Sequence, residues 1–183
     1  KNPSFQKSGS DNAVSQLLTD MKLGKVGALL ISDVNPVYDL PEGESFGELM
    51  KTISTTLLFT TKKNETAELC NVICPLPHYL ESWSDDEFIS GLLSMTQPTI
   101  RGLGDTRTFR KSLGDWIGYE DDERILIRNY WKKIYSTRKK GNLSFNQWWD
   151  NLVHDGFVNI KEKSLSIGRY KQGSVPKSNF NNG

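Results

Sequence analysis

Asn35-Pro36, Cys70, Cys74, His78 and Glu81 are the residues of this 183-residue chain whose types and spacing could do chemistry. Cys70, Cys74 and His78 are each four apart, and thiolate and imidazole are zinc ligands. A closed zinc site needs a fourth ligand, and the two cysteines fall where a helix and a strand would turn them toward a core. A free cysteine there behaves as a small hydrophobe, so the core reading stands ahead of the zinc module. His78 and Glu81 could form an acid-base pair, or His78 could be a loop histidine held by its neighbours. Asn35 follows an apolar run, where its amide could offer a ligand both a donor and an acceptor, although Asn-Pro also opens ordinary turns. Asp33 and Asp39 could hold a ribose or a metal, but lone loop carboxylates are usually solvated. Arg101, Arg107 and Arg110 could clamp a phosphate through their planar forks; ordinary ion pairs at a helix start are the plainer reading.

Other chemistries lose support. With 23 basic against 22 acidic residues the net charge is +1, so no global field recruits nucleic acid or an anionic membrane. The sequence lacks Gly-x-Gly-x-x-Gly, a Walker loop, Gly-x-Ser-x-Gly and His-Glu-x-x-His. No apolar run approaches the roughly 20 residues that cross a bilayer. Residue 1 is Lys with no signal-like stretch behind it, so the sequence reads as an excised or processed piece. Two cysteines make neither a disulfide framework nor a four-ligand zinc pattern, and they leave the compartment open.

The elements that must position these residues alternate. Residues 1–11 read as a flexible lead-in. Asp11 or Asn12 can cap a helix with an apolar stripe of Val14, Leu17, Leu18 and Met21, closed by Gly24. Residues 26–31 read as a buried strand. Ser45 and Glu48 form a capping box ahead of Leu49, Met50 and Ile53. Residues 56–60 are a second strand, Asn64 caps a short helix with Glu65 and Glu68 in its first turn, and residues 72–74 are a third strand stopped by Pro75 and Pro77. The spacing predicts an α/β fold: a Rossmann-like three-layer domain with a mostly parallel sheet over residues 12–160, its C-terminal portion helical. A loop after its third strand, at the stretch 64–85, would lie on the carboxyl edge where such sheets bind ligands.

Residues 84–105 read as a long loop. Helices follow near 106–116 and 122–137, and a third starts at Ser144 with Gln147 completing a capping box and Gly156 ending it. Trp131, Trp148 and Trp149 read as packing residues that join the helices to the sheet. Residues 161–183 are polar and net positive, and read as a tail or linker with a hairpin or disorder.

Taken together, Asn35-Pro36, Asn64-Glu65-Thr66-Ala67, Val72-Ile73-Cys74-Pro75 and Glu81-Ser82-Trp83 resemble one domain of the molybdopterin oxidoreductase family. More closely, Asn35-Pro-Val-Tyr-Asp39, His78-Tyr-Leu-Glu-Ser-Trp83, Gln97-Pro-Thr-Ile100, Trp149-Asp150 and His154-Asp155-Gly156 resemble the molybdopterin-oxidoreductase-like B subunit of bacterial alternative complex III. The resemblance covers residues 12–158. It implies one of two Rossmann-like domains that cradle a bis-pterin guanine dinucleotide, with Asn35, Pro36, Glu65, Thr66, His78 and Glu81 as cofactor-binding candidates.

In the complex III branch the domain is implied to be a scaffold within a membrane-bound quinol oxidoreductase. It would carry no catalytic residue and no cofactor of its own. Iron-sulfur clusters are expected elsewhere in the full-length protein, on the periplasmic side of the bacterial inner membrane. The implied partners are other domains of the same polypeptide and other subunits of the respiratory complex, with no nucleic acid. The alternative is a molybdopterin-guanine-dinucleotide-binding domain of a catalytic oxidoreductase. Two departures weigh against that alternative: Asn71 stands where the family has an acidic residue, and Ser84 where it has Gly.

Overall fold

A computed structural model describes residues 9–138 and 141–160. Residues 1–8 of the expected lead-in and all of the tail at 161–183 lie outside them. The first helix, α1 (Asp11–Lys22), takes its cap from Ser10, whose hydroxyl accepts from Ala13 N–H, leaving Asp11 in the first turn where the helix dipole favours it. The cap therefore sits one residue before the two expected positions. Met21 is buried at the end of the helix's apolar stripe, and Gly24, at φ 65°, turns the chain out of it.

The parallel sheet consists of β1 (Ala28–Ser32), β2 (Thr55–Thr60) and β3 (Val72–Pro75) in the order β1-β2-β3. Between β1 and β2 lie α2 (Pro36–Asp39) and α3 (Gly43–Met50); a single 3-10 turn, Ala67–Leu69, precedes β3. The Ser45 capping box does not form, because α3 starts at Gly43 with no side-chain cap. Gly43 is pressed against α2: a Cβ there would lie 2.0 Å from the Val37 carbonyl oxygen, so the helix begins where only glycine fits.

One face of the sheet, through Leu29, Ile31 and Leu58, packs with Met21, Phe46 and Met50 into a core. On the other face Phe59 meets Phe109 edge-on at 4.8 Å and Trp116 at 6.0 Å, both from α4 (Phe109–Trp116). Helices thus lie on both faces of a parallel sheet, and the expected Rossmann-like α/β arrangement with a helical C-terminal portion is what forms.

Where the long loop was expected, residues 84–105 instead begin with a hairpin. β4 (Ser84–Ile89) and β5 (Leu92–Thr96) pair antiparallel around Gly91, at φ 86°, with a register shift between Asp86 and Ile89. β6 (Phe157–Asn159) adds to β5, completing a second three-stranded sheet. Leu93 and Met95 alternate onto α5 (Glu123–Arg138) and α6 (Phe145–Asp155), where Ile127, Trp131, Trp149 and Leu152 close a second core. The tryptophans therefore pack under this small sheet, not under the parallel one. The Ser144–Gln147 capping box and the left-handed Gly156 cap form as the sequence predicts. Among the described residues no helix is long and apolar enough to cross a membrane.

Candidate functional site

At the carboxyl edge the chain leaves β1 through Asp33, whose positive φ of 52° reverses it while its N–H donates to the Phe59 carbonyl. That reversal delivers Asn35 to the 3-10 turn before β3. The Asn35 Nδ2 donates to Glu65 Oε2 at 2.7 Å, and its Oδ1 accepts from Thr66 Oγ1 at 2.7 Å and Thr66 N–H at 3.2 Å. Thr66 Oγ1 in turn accepts from Val37 N–H, and the Asp39 carboxylate accepts from Asn35 N–H. The hydrogen bond from Asn35 holds the Glu65 carboxyl below its ordinary pKa, with a backbone N–H adding to the effect.

Four of the six cofactor-binding candidates, Asn35, Pro36, Glu65 and Thr66, are therefore neighbours in one clasp across the sheet edge. Thr66 is 0% exposed and its hydroxyl is taken up by Asn35 and Val37, whereas among the described residues the second Nδ2 hydrogen of Asn35 has no partner and Glu65 is exposed.

His78 and Glu81 lie elsewhere. His78 lines a cleft of about 680 Å³ at the same carboxyl edge, together with Asp33, Trp83, Ser84, Phe109, Arg110 and Glu123. Its Nδ1 accepts from Leu80 N–H, while Glu81 accepts from Leu103 N–H; among the described residues no hydrogen bond joins His78 to Glu81. His78 is thus held within its own loop, while Glu81 reaches the loop at Leu103, 22 residues on. Of the two family departures, Ser84 lines this cleft, but Asn71 does not. Asn71 closes a ring with buried Thr56, accepting from its N–H and hydroxyl and donating back to the hydroxyl. That ring sits at the amino end of β3, away from the carboxyl-edge cleft that His78 lines.

Cys70, Cys74 and His78 do not gather: among the described residues no cluster of three or more His, Cys, Asp or Glu side chains could hold a metal ion. Cys70 packs half-buried against the first core, and Cys74 is also half-buried, short of the full burial its position suggested. Burial pushes both thiols up, with a Thr56 hydrogen bond partly opposing it at Cys70.

The arginines likewise form no clamp. Arg107 pairs with Asp115 at 3.1 Å, Arg110 with Asp85 at 2.5 Å, and Arg101 is exposed. Asp85, its side chain 7% exposed, also accepts from Trp131 Nε1 at 2.7 Å. Glu123 stands beside this pair, its carboxyl pushed up by burial against the lowering effects of Thr108 and Arg110. This network, which joins the two sheets' helices, escaped the sequence reading. The signal for it was Ser90-Gly91 between two β-compatible pairs, Phe88-Ile89 and Leu92-Leu93.

Fold and site together define a Rossmann-like α/β domain with a clasped sheet edge and an adjoining antiparallel lobe. No protein-family model matches the chain. Over 58 residues, 32% of the chain, it is 34% identical to the molybdopterin-binding-like subunit of menaquinone reductase from Nitratidesulfovibrio vulgaris (strain Hildenborough), and that stretch spans 8% of the relative's length. In structure it is similar to acetylene hydratase from Pelobacter acetylenicus, with a TM-score of 0.51 and 17% identity over 58% of this chain and 16% of that one. At that identity the second likeness shows the fold alone. The first is a likeness of sequence confined to that stretch, to a subunit described as molybdopterin-binding-like.

Proposed function

We propose that this chain is a scaffold domain of a molybdopterin oxidoreductase-like subunit, of the alternative complex III kind, in a membrane-bound quinol oxidoreductase. The observation that carries the scaffold role is the clasp: Asn35 hydrogen-bonds to both Glu65 and Thr66. Residues that a pterin dinucleotide would recruit here tie the loop after β1 to the turn before β3. The setting is supported by the relative's name, which joins a molybdopterin-binding-like subunit to a quinone-linked enzyme. On this reading iron-sulfur clusters and electron transfer belong to other regions of a longer polypeptide and to partner subunits on the periplasmic side. Affinity isolation of the full-length subunit from its native membrane tests the setting. Integral membrane subunits and quinol-oxidising activity should come with it, and recovery as a lone soluble protein would contradict the proposal.

One observation favours a second reading, a dinucleotide-binding domain of a catalytic molybdopterin oxidoreductase. The cleft beside the clasp is large and polar enough to accept a ligand, with His78, Arg110 and Glu123 on its walls. When bound, the cofactor would supply the redox chemistry. The chain's own part would be limited to binding and orienting it.

A further inference from the structure

The second face of the parallel sheet is covered only in part. Successive residues of a strand point to opposite faces, so the register sets Ser32, Phe59 and Cys74 in one row and Leu30, Leu57 and Val72 in the next row of the same face. The row of Phe59 lies under Phe109 and Trp116 of α4, and Phe59 is fully buried. Among the described residues the row of Leu30 has no such cover: Leu30 is 43% and Val72 47% exposed, and Leu57 is half-buried. The first face shows the contrast, with Leu29 at 8% and Ile31 and Leu58 buried against α1 and α3.

Parallel sheets have both faces covered, and helices are what cover them. Three strands about 4.8 Å apart make the open row about 10 Å across, the width of one helix. The residues bordering it at the amino ends of the strands, Gly27, Ala28, Ser54, Thr55 and Asn71, are uncharged, so what fits it is an apolar helical stripe and not a charged surface. Aliphatic side chains exposed by about half offer on the order of 50 Å² each, so the row presents roughly 150 Å², whereas a stable dimer buries about 800 Å² on each partner. A second copy is not held by so small a contact. A helix of the same polypeptide is, because its tether supplies the effective concentration that the area lacks.

This chain spans a small part of both similar proteins, and the inference rests on the proposed reading of it as one domain of a longer subunit. We propose that an amphipathic helix from elsewhere in that polypeptide, outside residues 1–183, packs on Leu30, Leu57 and Val72 beside α4 and completes the second layer of the sheet.

Hydroxyl-radical oxidation read by mass spectrometry tests this. Covering takes Leu30 from 43% exposure to about the 8% of Leu29, so its oxidation in the purified full-length subunit should be at least about fivefold slower than in the 183-residue chain. Val72 should be slowed likewise. Benzoylphenylalanine in place of Leu30 or of Val72, with folding checked by circular dichroism, identifies the occupant by photocrosslinking. The crosslink should fall on a helix of the same polypeptide outside residues 1–183. Equal oxidation in the two proteins overturns the proposal, as does a crosslink within residues 1–183. Protection that fades on dilution also overturns it, because a second copy would then be the cover. Both readouts use the isolated subunit and need no quinol activity, so their failure is separate from a failure of the membrane-complex assignment.

Discussion

Replacing Asn35 by Ala removes the acceptor for two donors of Thr66, a residue with 0% exposure: its N–H at 3.2 Å and its hydroxyl at 2.7 Å. Each buried donor left without a partner costs about 1–3 kcal/mol, and the half-buried Asn35 position lets water recover part of that, so the expected loss is about 2–4 kcal/mol. Urea denaturation followed by circular dichroism reads it as a lower midpoint at unchanged slope. Asn35→Asp sharpens the test. The aspartate still accepts from Thr66, but its second oxygen faces Glu65 Oε2, now 2.7 Å from the Asn35 nitrogen. Two carboxylates so placed share a proton, which raises a folded-state pKa.

The sign then reverses between the two proteins. In the native chain the Glu65 carboxyl is held low, so its contribution is present above the unfolded carboxylate range and fades as pH falls through the folded value. In Asn35→Asp a carboxyl is held high, so stability is present at low pH and lost as pH rises. The deficit of the variant relative to the native chain should therefore shrink steadily on acidification from pH 8 to about pH 4, the ordinary carboxylate range. An Asn35→Ala loss below about 1 kcal/mol would refute a structural clasp, since ordinary surface changes fall within about half that. An Asn35→Asp deficit that ignores pH would refute the Glu65 contact.

Trp149 is 1% exposed and its Nε1 has no hydrogen-bond partner among the described residues, so Trp149→Ala should cost about 3–4 kcal/mol in chemical denaturation. Trp149→Phe deletes the orphaned N–H while leaving a smaller cavity, and should cost less than about 1.5 kcal/mol; equal losses would show that the N–H is satisfied. Asp85→Ala strips the carboxylate from both Arg110 and Trp131 Nε1 and should lower stability by about 2–4 kcal/mol, measured the same way. Glu123 ionises against a burial cost, so its folded pKa is raised and stability is lost as pH rises through it. Glu123→Gln should accordingly melt higher than the native chain at pH 8 and lose that advantage at pH 4, a comparison differential scanning calorimetry makes directly.

Short-range signals in the sequence were sound where one residue type had one physical outcome. Ser144 with Gln147 makes a capping box, and Gly156 supplies the left-handed cap that other residues resist. The three parallel strands were legible because short apolar runs ended at turn residues. Ser45 misled because the same box pattern is overridden when a helix must start earlier, at a glycine pressed on its neighbour. The β4–β5 hairpin was hidden because Asp85, Asp86 and Glu87 break the expected alternation, two of them being held by arginines from distant helices. The candidate site divided in the same way. Asn35 was visible as a polar loop residue and Glu65 and Thr66 as the start of a short helix, but their mutual hydrogen bonds span about 30 positions, which spacing alone does not encode. Asn71 shows the converse: a departure from a family pattern acquires meaning only once the edge of the sheet it occupies is known.

Molybdenum and pterin content of the purified full-length subunit tests the central claim most directly, by plasma mass spectrometry alongside fluorescence of the oxidised pterin. A scaffold whose clasp residues serve one another should hold far less than one molybdenum per polypeptide, with no stoichiometric pterin. One molybdenum and two pterins per polypeptide would contradict the account.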